Sequence, residues 1–270
     1  MAEHIDGPLN YERLGKRGRP VVFVHPNPMD HTCWIYQMAR FSTWFQTIGI
    51  DIPGYGRSPK ASPGLTMQDI AQACWEAVDE VTAAPCVLAG LSVGVHVVLH
   101  MAIQRPQQTL ALIMTGSGYY PVKEFAAKRI QQYSEQGVAF RYQHTFEDYS
   151  RAFGETEYAK YFANLFMERN DTADAATIVE QFRALAEPDP DWLFDIKVPS
   201  LMITGSEDSA HQAAFALQER LKGCELVTME GAGHACNMER PWEWDAIALD
   251  FLRRHGLLAP AAPAASAGPS

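Results

Sequence analysis

Ser92 stands at the centre of Gly90-Leu91-Ser92-Val93-Gly94, a G-x-S-x-G pattern with a short apolar run before it and a longer apolar stretch after it. A strand that turns sharply into a helix at such a serine strains the backbone there. The hydroxyl is then exposed at the C-terminal edge of a sheet, above the positive end of the helix. The chemistry served is nucleophilic attack on a carbonyl carbon, and the structural alternative is an ordinary glycine-rich turn. Serine is a weak nucleophile at neutral pH and needs a base. Among nine histidines, His234 in Gly231-Ala232-Gly233-His234 follows the last strand candidate and precedes a helical stretch at 242–254, so a loop presents it at the same edge. An imidazole needs a partner on its other nitrogen. Asp208, reached from a strand candidate at 200–204 through Gly205-Ser206-Glu207, is the best placed, with Glu207 as the adjacent competitor. The order Ser, Asp, His is the one used with this turn.

A tetrahedral oxyanion requires preorganised N–H donors. Val93, directly after the serine, offers one. The loop His25-Pro26-Asn27-Pro28 offers the other through Asn27, since its prolines have no N–H; a structural turn role is the alternative for the Asn27 side chain. Cys236, close to His234, reads as a small buried hydrophobe rather than a nucleophile.

These residues require a sheet to carry them. Short apolar, β-branched runs at 21–24, 46–51, 86–89, 110–115, 200–204 and 225–229 alternate with helical stretches, the pattern of a parallel sheet covered on both faces. Residues 9–14 add a candidate antiparallel edge strand. Helices are expected at 67–81, from apolar spacing, and at 93–103, apolar on all sides. The alternation breaks at 119–192, rich in aromatic, Gln and Glu residues, which reads as a helical insertion dividing a core into 1–118 and 193–258. Residues 259–270 hold only Ala, Pro, Ser and Gly and are expected to be a disordered tail.

At 270 residues, 47% hydrophobic and 20% charged, the chain suits one large core with an insertion. A net charge of −10 without a Lys/Arg cluster argues against nucleic acid as a partner. No apolar run is long enough for a membrane span, and the first residues lack a secretory pattern. Five cysteines without CxxC spacing fit a reducing cytoplasm.

Taken in order, the His25-Pro26-Asn27-Pro28 loop, Asp51-Ile52-Pro53-Gly54-Tyr55-Gly56-Arg57-Ser58, the Gly90–Gly94 turn, the stretch from Gly205 to Asp208, and Gly231 to His234 followed by Glu239-Arg240-Pro241 resemble the α/β-hydrolase superfamily. The resemblance implies a sheet of about eight strands with a helical cap, which the insertion would supply. Many members carry His-Gly where this chain has His25-Pro26. The aspartate-nucleophile branches are disfavoured by Ser92. His96 is expected to pack within its helix, and Asp51 and Arg57 to anchor a turn.

The expected activity is cleavage of a small to medium carboxylic ester, a small-molecule substrate, through an acyl-enzyme on Ser92, with no metal or organic cofactor. Met29, His31 and Trp34, with Tyr119, Tyr120 and Trp192 at the cap hinges, are expected to line a mostly apolar pocket. Two related reactions use the same triad: hydrolysis of a carbon–carbon bond in a dienoic ketone, and enol-lactone opening. The first favours a carboxylate pocket, which Lys123, Lys128, Arg129 and Arg141 would provide. A non-catalytic ligand receptor is the reading from another class.

Overall fold

Strand residues that are apolar on both sides need cover on both sides, and the chain supplies it. The structure, a computed structural model, describes residues 4–117, 123–169, 173–187 and 190–258. Tyr119, Tyr120 and the tail at 259–270 lie outside them. In chain order the elements are β1 (Tyr11–Leu14), β2 (Pro20–Val24), α1 (Ile35–Phe41), β3 (Gln46–Ile50), α2 (Met67–Asp79), β4 (Cys86–Leu91), α3 (Val93–Gln104) and β5 (Thr109–Thr115). Then come α4 (Lys123–Gln136), α5 (Phe140–Glu147), α6 (Arg151–Gly154), α7 (Glu157–Arg169) and α8 (Ala175–Ala186). The chain closes with β6 (Ser200–Gly205), α9 (His211–Arg220), β7 (Glu225–Met229), α10 (Cys236–Glu239) and α11 (Pro241–Arg254).

The strands form one sheet in the order β1-β3-β2-β4-β5-β6-β7. Only β1 is antiparallel, pairing with β3 at the edge as expected of residues 9–14, and the other pairings are parallel. Seven strands stand among the described residues, where the resemblance implied about eight.

The period of two along each strand splits the core. Val22, Val24 and Leu88 face a cluster with Trp75 of α2 and Val97 of α3, whereas Val21, Phe23 and Val87 face Met38 and Phe41 of α1 and Trp244 and Phe251 of α11. α2 begins at a capping box, in which Thr66 Oγ1 accepts from the Asp69 N–H at 3.1 Å and the Asp69 carboxylate accepts from the Thr66 N–H at 3.0 Å. α3 is buried from Val93 to Ala102, as its unbroken apolar sequence requires.

Parallel pairing brings the C-termini of β2 to β7 to one edge. Val24 lies beside Gly90, Leu91 beside Thr115, Thr115 beside Ile203 and Gly205 beside Met229. The loops after β2, β4, β6 and β7 carry Asn27, Ser92, Asp208 and His234. α4 to α8 enter between β5 and β6, with Tyr133 of α4 stacked on Phe182 of α8 at 5.8 Å between ring centroids.

Candidate active site

Ser92 joins β4 to α3 at φ 56° and ψ −118°, the only non-glycine residue with positive φ among the described residues. Holding a side-chain-bearing residue there costs about 1–3 kcal/mol, supplied by the surrounding packing. Ser92 N–H donates to Thr115 O at 2.9 Å, and Val95 N–H donates to Ser92 O at 2.9 Å. A Cβ at Gly94 would collide with the carbonyl of Val24, so glycine lets α3 start against β2. Val93 is the first residue of α3, where helix N–H groups lack helical acceptors.

Asp208 and His234 meet across the same edge. Asp208 Oδ1 lies 2.9 Å from His234 Nδ1 and also accepts from Ala210 N–H at 2.8 Å. Burial would lower the His234 pKa, but the charge and hydrogen bond of Asp208, with the charge of Asp148, raise it to about 9. Burial pushes Asp208 up, and the imidazolium of His234 outweighs it, leaving the carboxyl below its ordinary value. Glu207 points elsewhere, accepting from Arg151 N–H at 3.1 Å. Among the described residues, neither the Ser92 hydroxyl nor Nε2 of His234 has a hydrogen-bond partner. Serine–histidine bonds of this kind often tighten only around substrate.

Ser92, His234, Asn27 and Val93 line one cavity of about 50 Å³. Its far wall comes from the insertion: Phe125 and Arg129 of α4, His144 and Glu147 of α5, Asp148, and Phe182 and Leu185 of α8. That wall is polar as much as apolar, unlike the mostly apolar pocket expected. Arg129 pairs with Glu147 at 2.7 Å. His144 accepts from or donates to Tyr133 Oη at 2.9 Å, and burial, then Arg129 and His234, keep it well below its ordinary pKa. Burial raises Asp148 to about 7 against the pull of His234 and Arg129. His96 of α3 also lines the cavity, 3.3 Å from Ser117 Oγ.

Other expected residues fall outside this cavity. Met29 and Trp34 are fully buried in the core, Trp34 Nε1 donating to Val24 O at 3.2 Å. Trp192 is 46% exposed and edges onto His100. Arg141 donates to the carbonyls of Pro28 at 2.8 Å and Phe166 at 3.1 Å, while Lys123 and Lys128 are exposed.

His31 is bonded on both ring nitrogens, to Asp51 Oδ1 at 2.7 Å and Glu12 Oε2 at 3.0 Å, beside a different cavity of about 560 Å³ that Arg57 and Arg169 also line. Asp30, His31 and Asp51 bring potential metal ligands within 4.8 Å of one another. Asp30 Oδ1 is already bonded to Thr32 N–H at 2.8 Å, and Asp51 also accepts from Asn10 Nδ2 at 2.7 Å and Arg57 N–H at 3.3 Å. The cluster is an ion-paired anchor for the turn after β3, the role expected of Asp51.

Sequence reading missed Asp148, His144 and Glu147 as cavity residues. The single available signal, an acidic pair closing an amphipathic helix in the insertion, does not distinguish a cavity wall from a solvated helix end.

A sequence model of the alpha/beta hydrolase family matches residues 21–264. The (E)-2-((N-methylformamido)methylene)succinate hydrolase of Acinetobacter baylyi is 25% identical over 231 residues, covering 83% of this chain and 86% of that protein. Among solved structures, the enol-lactonase of Burkholderia xenovorans matches with a TM-score of 0.81 at 21% identity, over 92% of this chain and 98% of that one. An esterase from Thermogutta terrifontis matches with a TM-score of 0.78 at 23% identity, over 92% and 93%. At these identities the two structures speak to the fold.

Proposed function

Since the chain belongs to the alpha/beta hydrolase family, we propose that it hydrolyses a small carboxylic ester through an acyl-enzyme on Ser92. The observation that carries this reading is the shared cavity: a strained serine and a histidine anchored by a buried aspartate line the same 50 Å³ space. In the proposed cycle the Ser92 hydroxyl attacks the carbonyl carbon while Nε2 of His234 takes its proton. Asp208 holds Nδ1 and stabilises the imidazolium. The N–H groups of Val93 and Asn27 receive the oxyanion. His234 then protonates the departing alcohol, and a water activated by the same ring releases the acid. The helices α4 to α8 act as a cap that limits water around the acyl-enzyme.

The small cavity favours short acyl groups. Cleavage of a dienoic ketone is disfavoured because its carboxylate needs an unpaired cation. Arg129 is already paired with Glu147, and Arg141 is spent on two carbonyls. A lactone is a cyclic ester, so the proposed triad serves it equally.

Fluorophosphonate labelling tests the mechanism against a receptor role, run beside phenyl esters of increasing acyl length, lactones and dienoic ketones. Wild type is expected to be labelled and to cleave short esters, and Ser92→Ala to do neither. A folded wild-type protein that takes no label and cleaves no ester would overturn the reading.

A further inference from the structure

The cavity that Ser92 lines has residues whose buried polar atoms find no partner among the described residues. Asp148 is 6% exposed, and its Oδ2 has no hydrogen-bond partner among the described residues. Among the described residues the buried side-chain amide of Asn27 has no partner at Nδ2 or Oδ1, and Arg129 Nε has none either. Buried polar atoms are nearly always bonded. The three residues that carry these atoms line the cavity that Ser92 and His234 also line.

The position of Asp148 is built rather than incidental. It follows α5, and its main-chain carbonyl accepts from Ala235 N–H at 2.9 Å, next to the histidine. Two residues on, Ser150 donates from its N–H and Oγ to Glu239 at 2.7 and 2.6 Å. A Cβ at Gly233 would collide with Ser150 N, so glycine at that place lets the turn carrying Asp148 lie directly on the His234 loop. The clamps use the main chain and neighbouring side chains, leaving the Asp148 carboxyl for something else.

Resting on the ester reading above, we propose that Asp148 is a specificity-determining residue whose free oxygen accepts a hydrogen bond from a hydroxyl or amide N–H carried by the substrate. The preferred substrates are then esters of hydroxy or acylamino acids rather than of plain alkanoic acids. Such a substituent donates its one hydrogen to Asp148 and accepts from Asn27 Nδ2 or Arg129 Nε. An alkyl chain does neither. A carboxylate accepts only, and sets a like charge against Asp148 and Glu147.

The test uses phenyl esters in matched sets: propanoic, 2-hydroxypropanoic, 2-methoxypropanoic and N-acetyl-2-aminopropanoic acid, with the corresponding 3-substituted butanoic acids. A site built to bond a donor discriminates strongly against the analogue lacking it. Wild type should therefore favour the hydroxy or acetamido ester over its methoxy or alkyl match by at least about tenfold in kcat/KM, expressed chiefly in KM. Asp148→Leu should reduce that ratio to near one, and Asp148→Asn, whose amide oxygen still accepts, should keep most of it. The ratio is independent of how much of a variant folds. Equal cleavage of hydroxy and methoxy esters by wild type, or an unchanged ratio in Asp148→Leu, overturns the inference and leaves the ester reading standing. Cleavage of no ester by wild type overturns both.

Discussion

The molecule contains two histidine–aspartate pairs that look alike, and the proposed cycle uses one of them. His31 meets Asp51 at 2.7 Å and His234 meets Asp208 at 2.9 Å, and in both the carboxylate raises the imidazole pKa to about 9 against the effect of burial. They differ at the second ring nitrogen. That of His31 is closed by Glu12 at 3.0 Å, whereas that of His234 has no partner among the described residues and belongs to a ring lining the cavity of Ser92. A raised pKa and a short contact are common to both pairs. The open ring nitrogen singles out the pair proposed to react.

Swapping the two histidines' fates tests this contrast most severely. His234→Gln is expected to lower kcat by about 10⁴–10⁶-fold with modest loss of stability. His31→Gln should leave kcat per folded molecule within about threefold while costing about 3 kcal/mol or more in urea unfolding, because it breaks a buried ion pair. A folded His31→Gln protein without activity would erase the distinction.

The carboxylates sharpen it next. Asp208→Asn should cost about 10⁴-fold in kcat. Glu207→Gln should change it by less than about threefold, because that side chain is committed to Arg151 N–H.

Titration gives a smaller, shared effect with opposite readouts. Each histidine is raised from near 6.5 to about 9, so its contribution to stability is full below 6.5 and is lost as pH rises through 9. That amounts to about 3 kcal/mol each, and His31→Gln should remove about half of the alkaline loss measured by denaturation. Asp51, depressed to about 2, contributes above its ordinary range near 3.8 and loses that contribution as pH falls through 2. In activity the sign reverses, since in the proposed cycle only neutral His234 takes the proton. kcat/KM should rise as pH approaches 9, and Asp148→Asn should move that limb downward. The smallest change is Trp192→Ala, a half-exposed side chain outside the cavity, expected to alter activity by less than about threefold.

What the sequence discloses follows how local the determinants are. The turn at Ser92 is written in five consecutive residues, and the strands in short apolar runs, so both are legible. Trp34 shows where reading by proximity misleads. Its place shortly after the Asn27 loop points to the pocket. Its spacing with Met38 and Phe41 is that of one helical face, and all three are buried in the same core cluster. The Asp148 wall was not legible, because nothing near residue 148 encodes its neighbour at 235. Contacts of that range are set by how the insertion packs on the finished sheet, and Gly233 reads as part of a histidine motif until Ser150 is seen against it.

The hydrogen bond from Ala235 to Asp148 spans the interval between the insertion and the last loop, and it bears on how the protein is made. Chains fold from the N-terminus as they are synthesised. A nascent polypeptide that has emerged only as far as β6 carries the serine turn and the insertion, but neither the histidine nor the loop on which the Asp148 turn rests. The proposed base and the proposed binding wall are completed together, by the same late segment. Under the proposed mechanism the half-made protein therefore holds its nucleophile without a base, and turnover begins only once the proposed binding wall is also in place.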